Sequence, residues 1–219
     1  MDGATSSLLP REGVPSSVFA RICLFNHGPA DYLHPSHRAE FAIAALAEDV
    51  WAAPRARSHL SRSILARLGV DACTDVSRAE WPLALLDPPR LARLARHVAA
   101  GLLGSRARAC ISRADVIEWR DWLSPQAHEF ALTSANLLPL AHAPEIAREG
   151  TAEDLGFRWI RAAIQSWPDP IRLRMQLKLP AQTPAPPGQV PREQAQRLVR
   201  SILSIVEQSW CSSFVKTRA

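Results

Sequence analysis

The chain has 219 residues, of which 9 are glycine and only 6% are aromatic, and this composition favours one α-helical domain over a sheet-rich fold. Its net charge is +5, and all but two of its 26 basic residues are arginine. No apolar run approaches the ~20 residues of a membrane span, and no secretory signal is recognisable, so we expect a cytosolic protein with four reduced cysteines.

The N-terminal part of the chain is predicted to combine a flexible arm with a rigid loop. Residues 1–19 show little periodicity and are interpreted as the arm, so the helical domain is predicted over residues 20–180. Gly28-Pro29 is a turn signal, and the proline after His34 disfavours a helical conformation at that histidine. Ser36 suits the N-cap of a first long helix. The predicted apolar face of that helix comprises Ile43, Leu46, Ala47 and Val50.

Two glycines mark the ends of the next predicted helices, and Asp87-Pro88 marks the start of one of them. A helix over residues 57–68 is predicted to end at Gly69, which can adopt the left-handed conformation of a helix C-terminus. Asp87-Pro88 predicts the start of the clearest helix, because aspartate caps a helix and proline fits its first position. That helix is predicted to end at Gly104, with a short helix over residues 106–111 after it.

Serine and threonine caps predict three further helix starts. Ser112 and Thr151 each stand three residues before an aspartate, which resembles a capping box, and Ser124 precedes a proline. The helix after Thr151 carries apolar residues on more than one side, so we expect it to be central and buried. Residues 139–150 are predicted to form a loop.

The C-terminal third contains one ambiguous segment. Apolar and polar residues alternate over residues 171–179, which is a strand signal, but no second strand is predicted to pair with it. Helix and exposed β-edge therefore both stay open for this segment. Residues 181–191 are predicted to be a Pro-rich linker, and residues 192–219 a C-terminal helix with a wide apolar face. The predicted fold class is all-α, an irregular compact bundle of about seven to eight helices.

Four separated segments carry a resemblance to a known family. They are Phe25-Asn26 with Pro29 and Tyr32-Leu33-His34-Pro35-Ser36, Trp81-Pro82-Leu83-Ala84-Leu85-Leu86, the Arg/Leu/Ala-rich helix from Pro88, and the run Arg172 to Pro180. In this order and spacing they resemble the SctK/YscK family of type III secretion accessory proteins, over most of residues 21–180. The departures within the first motif favour the plant-associated Hrp-type branch.

The resemblance implies a role without chemistry. Members of that family are adaptors at the cytoplasmic face of the bacterial injectisome, and they link the inner-membrane ring protein SctD to the SctQ pods of the sorting platform. For this chain it implies an all-α cytoplasmic protein with SctD-like and SctQ-like partners, no cofactor and no nucleic acid.

Seven residues are predicted to contact those partners. Four lie in the rigid loop, and three are a tryptophan near a helix end and two arginines of the alternating segment: Tyr32, Leu33, His34, Pro35, Trp122, Arg172 and Arg174. Tryptophan and arginine are enriched in binding hot spots. For Tyr32 the sequence leaves open whether the side chain faces a partner or packs in the core.

No pattern in the sequence indicates catalysis or metal binding. Cys23, His27, His34 and His37 lie close together, but Pro35 separates the last two and no further ligand stands at a usual spacing. A hydrogen-bonded loop position is predicted for His34 and an exposed position for His37. Phosphate-binding loops, GxSxG elbows and HExxH pairs are absent from the sequence, so we expect no enzyme.

The alternative hypothesis is a basic helical regulator that binds nucleic acid. The helix from Pro88 is its candidate recognition helix, and Arg90, Arg93 and Arg96 are predicted to face solvent or a partner. The arginines are spread along the whole chain, which is more typical of solvated helix faces than of one basic surface.

Overall fold

Helices account for the regular secondary structure in the computed structural model of the chain, which describes residues 16–41, 51, 53–134, 148, 150–181 and 192–215. No β-strand occurs within these ranges, so the predicted all-α fold class is confirmed. The helices are α1 (Ser16–His27), α2 (Pro54–Leu68), α3 (Trp81–Ala84), α4 (Pro88–Ala109), α5 (Arg113–Leu123), α6 (Pro125–Thr133), α7 (Ala152–Ala163), α8 (Asp169–Gln176), α9 (Arg192–Val206) and α10 (Gln208–Val215).

Residues 16–19 are helical, although the sequence pattern assigns them to the arm. Helix α1 begins at Ser16, inside the range interpreted as an arm, and buries Val18, Ile22 and Phe25. The predicted helix face at 43–50 lies outside the described residues. Ser36 lies within a single 3-10 turn, Pro35–His37, whose N-cap is His34.

Local capping chemistry places most helix starts where they are predicted. The Asp87 side chain accepts a hydrogen bond from the backbone N–H of Arg90 (2.9 Å) at the start of α4. Ser112 and Ser124 cap α5 and α6 in the same way. Thr151 and Asp154 form a complete capping box at α7. These bonds join groups within one helical turn, so sequence alone can indicate them.

Helix α4 is the central element of the fold. It packs against α5, α6, α7 and α9, and all of the residues from His97 to Gly104 are buried. The predicted end at Gly104 is wrong, because the helix continues to Ala109 and buries Leu103 and Ala107. Tertiary packing here outweighs the cost of about 1 kcal/mol for glycine inside a helix.

Helices α4 and α7 approach each other unusually closely at Gly156. A Cβ atom built on Gly156 would lie only 2.0 Å from the carbonyl oxygen of Ala95. Glycine is therefore required here because the two backbones leave no space for a side chain.

The two segments after α7 complete the core. The strand alternative for residues 171–179 is wrong, since α8 covers Asp169–Gln176 and a turn follows it. Helix α9 docks on α4 and α7 and buries five residues in the main core: Ala195, Leu198, Val199, Ile202 and Leu203. Residues 182–191 of the predicted linker lie outside the described residues.

Candidate protein-binding surfaces

The predicted loop is joined to the residues after α8 by one backbone hydrogen bond and by one that a serine side chain accepts. The N–H of His34 donates to the carbonyl of Leu177 (2.8 Å), and the N–H of Ala181 donates to Ser36 Oγ (2.8 Å). A further bond joins the N–H of Ala30 to Ser61 Oγ of α2 (3.2 Å). The loop is therefore held from two sides and presents a fixed edge.

Tyr32 lies against the aromatic residues that carry the family resemblance. Its ring stacks on Phe25 at a centroid distance of 5.4 Å, and Phe25 meets Trp81 edge to face at 5.8 Å. The Tyr32 hydroxyl donates to the carbonyl of Phe25 (2.6 Å). Burial raises the pKa of this hydroxyl. Tyr32 is thus mainly a packing residue, and we call Phe25, Tyr32, Trp81, Arg174 and Lys178 the hub.

Lys178 is one of the two buried basic residues of the hub. Its ammonium donates to the carbonyl of Ala84 (2.5 Å), the last residue of α3, and to that of Leu86 (2.8 Å) just after it. The same nitrogen lies 5.0 Å from the centre of the Tyr32 ring and 5.2 Å from that of Phe25. Burial lowers the pKa of Lys178 to about 7, against the opposing effect of Asp87. These contacts account for how the fold accommodates an ammonium group in its interior.

Arg174 joins three segments of the chain through carbonyl groups. Its guanidinium donates to the carbonyls of Asn26 (3.3 Å), Val70 (3.2 Å) and Asp71 (3.0 Å), and to Pro170 within its own helix (2.7 Å). Only 2% of Arg174 is exposed. A guanidinium suits this position because it carries five N–H donors in a fixed planar arrangement.

The remaining loop residues divide between the interior and the surface. Leu33 is buried among Leu60, Ile64 and Leu177, whereas Pro35 is exposed and His34 is half-buried. His37, predicted to be exposed, is buried because its Nε2 donates to the carbonyl of Leu179 (2.8 Å). Of the four predicted loop residues, Pro35 is therefore the most exposed, with the half-buried His34 beside it.

Trp122 and Arg172 lie apart from the loop and remain partly exposed. The indole N–H of Trp122 donates to the carbonyl of Gly150 (2.9 Å), and the Arg148 guanidinium lies 5.6 Å from its ring. Arg172 forms an ion pair with Asp169 at 2.6 Å. The structure thus does not gather the seven predicted residues into one surface, and their contact with partners stays a prediction.

A cleft between α1 and α2 adds residues that the sequence analysis missed. It has a volume of about 420 Å³, and Leu24 on its wall is 61% exposed. We call it the α1–α2 cleft; it is lined by Cys23, Leu24, His27, Gly28, Asp31, Pro54, Arg57, Ser58 and Ser61. Val18, Ile22 and Phe25 recur at helical spacing and mark the buried side of α1. Leu24 is apolar but lies off that side, and this could have indicated an exposed apolar surface.

The arginines of α4 are engaged by carboxylates of neighbouring helices. Arg93 pairs with Glu207 between α9 and α10, and Arg96 pairs with Glu153 of α7. Arg90 lies 3.7 Å from Asp87 and 4.0 Å from Glu207. These guanidinium groups already have partners on a central helix, so the structure does not favour α4 as a helix that reads nucleic acid.

The described ranges lack two features that other kinds of protein require. No described helix is long and apolar enough to cross a membrane. The same ranges contain no group of three or more His, Cys, Asp or Glu side chains that could hold a metal ion.

Comparison with known proteins gives one match over most of the chain. A family model described as "YOP proteins translocation protein K (YscK)" matches residues 23–215. No curated protein and no solved structure matches the chain. The matched range includes the hub, the loop, the α1–α2 cleft and both C-terminal helices.

Proposed function

Because the chain belongs to the YscK family of type III secretion proteins, we propose that it is a non-enzymatic adaptor of the injectisome. It acts at the cytoplasmic face of the secretion apparatus, where it joins an SctD-like protein of the inner-membrane ring to an SctQ-like protein of the sorting platform. The observation that carries the proposal is the family match over residues 23–215.

The hub supports adhesion rather than catalysis. Tyr32 and Lys178 have the most strongly shifted pKa values, which in many enzymes mark the reacting groups. Here the Tyr32 hydroxyl is bonded to a backbone carbonyl, and the Lys178 ammonium to two carbonyls and two ring faces. The shifts are therefore accounted for by a structural role.

We place one partner interface at the α1–α2 cleft and the adjoining loop. Exposed Leu24 supplies an apolar contact, and Gly28 and Asp31 carry the cleft into the loop. His34 and Pro35 extend the surface, while Tyr32, Leu33 and Arg174 hold the loop from beneath. Trp122 and Arg172 are proposed to belong to the second interface.

The first test is a pull-down with the purified chain, the cytoplasmic domain of the SctD-like protein and the SctQ-like protein from the same secretion gene cluster. We expect Leu24→Asp to weaken capture of one partner by about tenfold or more and to leave the other unchanged, because a buried charge opposes docking. Ile111→Asp is the matched control, since Ile111 is 97% exposed and lies outside the cleft.

Circular dichroism and thermal unfolding of both variants verify that the fold is intact. Capture of both partners by Leu24→Asp would contradict the interface assignment alone. Failure of the wild-type chain to capture either partner would contradict the adaptor function.

A further inference from the structure

A groove runs between the segment before α4 and the two C-terminal helices. It consists of two adjoining cavities of about 130 and 280 Å³, which share Ala79, Arg200 and Leu203 in their walls. We call it the C-terminal groove. It is distinct from the α1–α2 cleft, with which it has no lining residue in common.

One side of α9 forms a wall of the groove. The lining residues of this helix recur at helical spacing: Gln196, Val199, Arg200, Leu203 and Ser204. From Gln196 to Ser204 the helix rises about 12 Å, which is roughly the length of two helical turns of an occupant.

The opposite wall and the far end of the groove carry apolar residues, and Ser77, Arg78 and Glu80 lie beside them on the opposite wall. Val76 and Pro82 come from the segment that contains α3, and Cys211 and Phe214 come from α10. All four are partly exposed, so the groove presents apolar area to solvent. Apolar grooves between helices commonly receive the apolar face of another amphipathic helix.

Two charged side chains of the groove have polar atoms without a hydrogen-bond partner among the described residues. Arg200 is exposed, lines both cavities, and forms no ion pair or hydrogen bond with any residue in the described ranges. Glu80 lines the smaller cavity, and its Oε2 atom is buried without a hydrogen-bond donor. A buried acceptor without a donor is costly, and a ligand that supplies one recovers that cost.

We propose that the C-terminal groove binds an amphipathic helix of a partner protein, which carries an acidic residue beside its apolar face. Its apolar side chains contact Val76, Pro82 and Phe214, and its carboxylate pairs with Arg200. A donor on the same helix satisfies Glu80 Oε2. The proposal deepens the adaptor function, and it rests on that function only in taking the partner to be a secretion protein.

Charge also selects the kind of occupant. The chain carries a net charge of +5 with a calculated isoelectric point of 9.6, so a second copy is repelled at long range, whereas an acidic segment is attracted. Arg200 then fixes the register of the bound helix because it is the charged residue common to both cavities.

The test begins with site-specific photocrosslinking of the full chain in cells that carry the secretion gene cluster. p-Benzoylphenylalanine replaces Ser204, which is exposed on the groove wall, and in the control it replaces Ile111. We expect the Ser204 probe alone to crosslink to one protein. Mass spectrometry of the crosslinked peptide is expected to identify a helical segment with an apolar face and an adjacent Asp or Glu.

Binding of that purified protein then measures the charge pair. Arg200→Glu is expected to raise the Kd by about tenfold or more, and replacement of the partner's carboxylate by arginine is expected to restore it. Arg197→Glu is the matched control, because Arg197 is exposed on the same helix but does not line the groove. We expect that control to change the Kd by less than about threefold.

Several results would overturn the proposal. They are absence of a crosslink from the Ser204 probe, a crosslink to a second copy of the chain or to nucleic acid, a peptide without a carboxylate, and equal effects of Arg200→Glu and Arg197→Glu. If the Ser204 probe gives no crosslink but the chain still captures both secretion partners, the groove proposal fails and the adaptor function stands. An acidic amphipathic helix from a protein outside the secretion system would support the groove proposal and contradict only the assignment of its partner to the secretion system.

Discussion

At the scale of single residues, Lys178 shows how a buried charged side chain can connect separate segments of a fold. Its ammonium contacts two carbonyls at the C-terminal end of α3 and the faces of two aromatic rings, and these contacts replace part of the lost hydration. Burial nevertheless lowers its pKa to about 7. The position therefore contributes a pH-dependent term to folding stability.

We predict that the free energy of unfolding contains a component from Lys178 that rises between about pH 7 and 10.5. In this window the unfolded chain keeps the lysine proton, at its ordinary pKa of 10.5, which the folded chain releases. Higher pH therefore favours the folded state, and below about pH 7 the contribution is constant. Lys178→Met removes this component.

Urea unfolding of both proteins at pH 7 and pH 9.5 checks the prediction. We expect the wild type to gain about 2–3 kcal/mol more than Lys178→Met over this interval. Raised pKa values of Tyr32 and Cys211 act in the opposite direction, but both groups are present in the two proteins and cancel in the comparison. Parallel pH profiles would show that Lys178 does not titrate in the window.

The environment of Tyr32 also shows what the sequence could not predict at this scale. The loop, its turn at Gly28 and the hydrogen-bonded position of His34 follow from neighbouring residues. Whether Tyr32 is buried depends on Lys178 and Trp81, which are distant in the chain. The local sequence pattern therefore cannot decide whether the Tyr32 side chain faces a partner or packs in the core.

At the scale of elements, the contact of α4 with α7 depends on one residue without a side chain. We predict that Gly156→Ala destabilises the fold by about 2 kcal/mol or more, because the new Cβ would overlap the backbone of Ala95 and separate the helices. Alanine otherwise favours a helix by about 1 kcal/mol relative to glycine, so the intrinsic propensity opposes this loss.

Chemical unfolding of Gly156→Ala and of Gly69→Ala separates crowding from backbone strain. Gly69 has φ = +62° and open space around it, so its substitution is expected to cost about 1 kcal/mol through the left-handed conformation alone. A smaller loss for Gly156→Ala than for Gly69→Ala would contradict the close helix contact.

Some helix ends can be predicted from the sequence and others cannot. The starts at Asp87, Ser112 and Thr151 are predictable because the capping bonds lie within one turn. The continuation of α4 through Gly104 is not predictable, because it depends on the packing of helices that are distant in sequence. The alternation in 171–179 is misleading for the same reason: Arg174 and Lys178 are polar residues that are buried by distant partners.

At the scale of the whole molecule, Arg174 connects parts of the chain that are far apart in sequence. It bonds carbonyls in α1 and in the segment after α2 from its place in α8. Removal of the guanidinium leaves the carbonyls of Asn26, Val70 and Asp71 without this donor, and the bond to Asn26 is buried. We predict that Arg174→Met lowers the free energy of unfolding by about 3 kcal/mol or more.

The neighbouring Arg172→Met supplies the control for this prediction. Its ion pair with Asp169 is partly exposed and lies within one helix, so the expected change is within about 0.5 kcal/mol. Unfolding by denaturant measures both variants. Equal stability of the two would contradict the role of Arg174 as a connector.

The long reach of Arg174 has a consequence during protein synthesis. Asn26 and Arg174 are separated by 148 residues, so α1 cannot complete its contacts until nearly the whole chain has left the ribosome. At ~5–20 residues per second, this delay is about 7–30 s. Throughout that interval Ile22 and Phe25 lack their final neighbours, and the nascent N-terminus is exposed to aggregation and to chaperone binding.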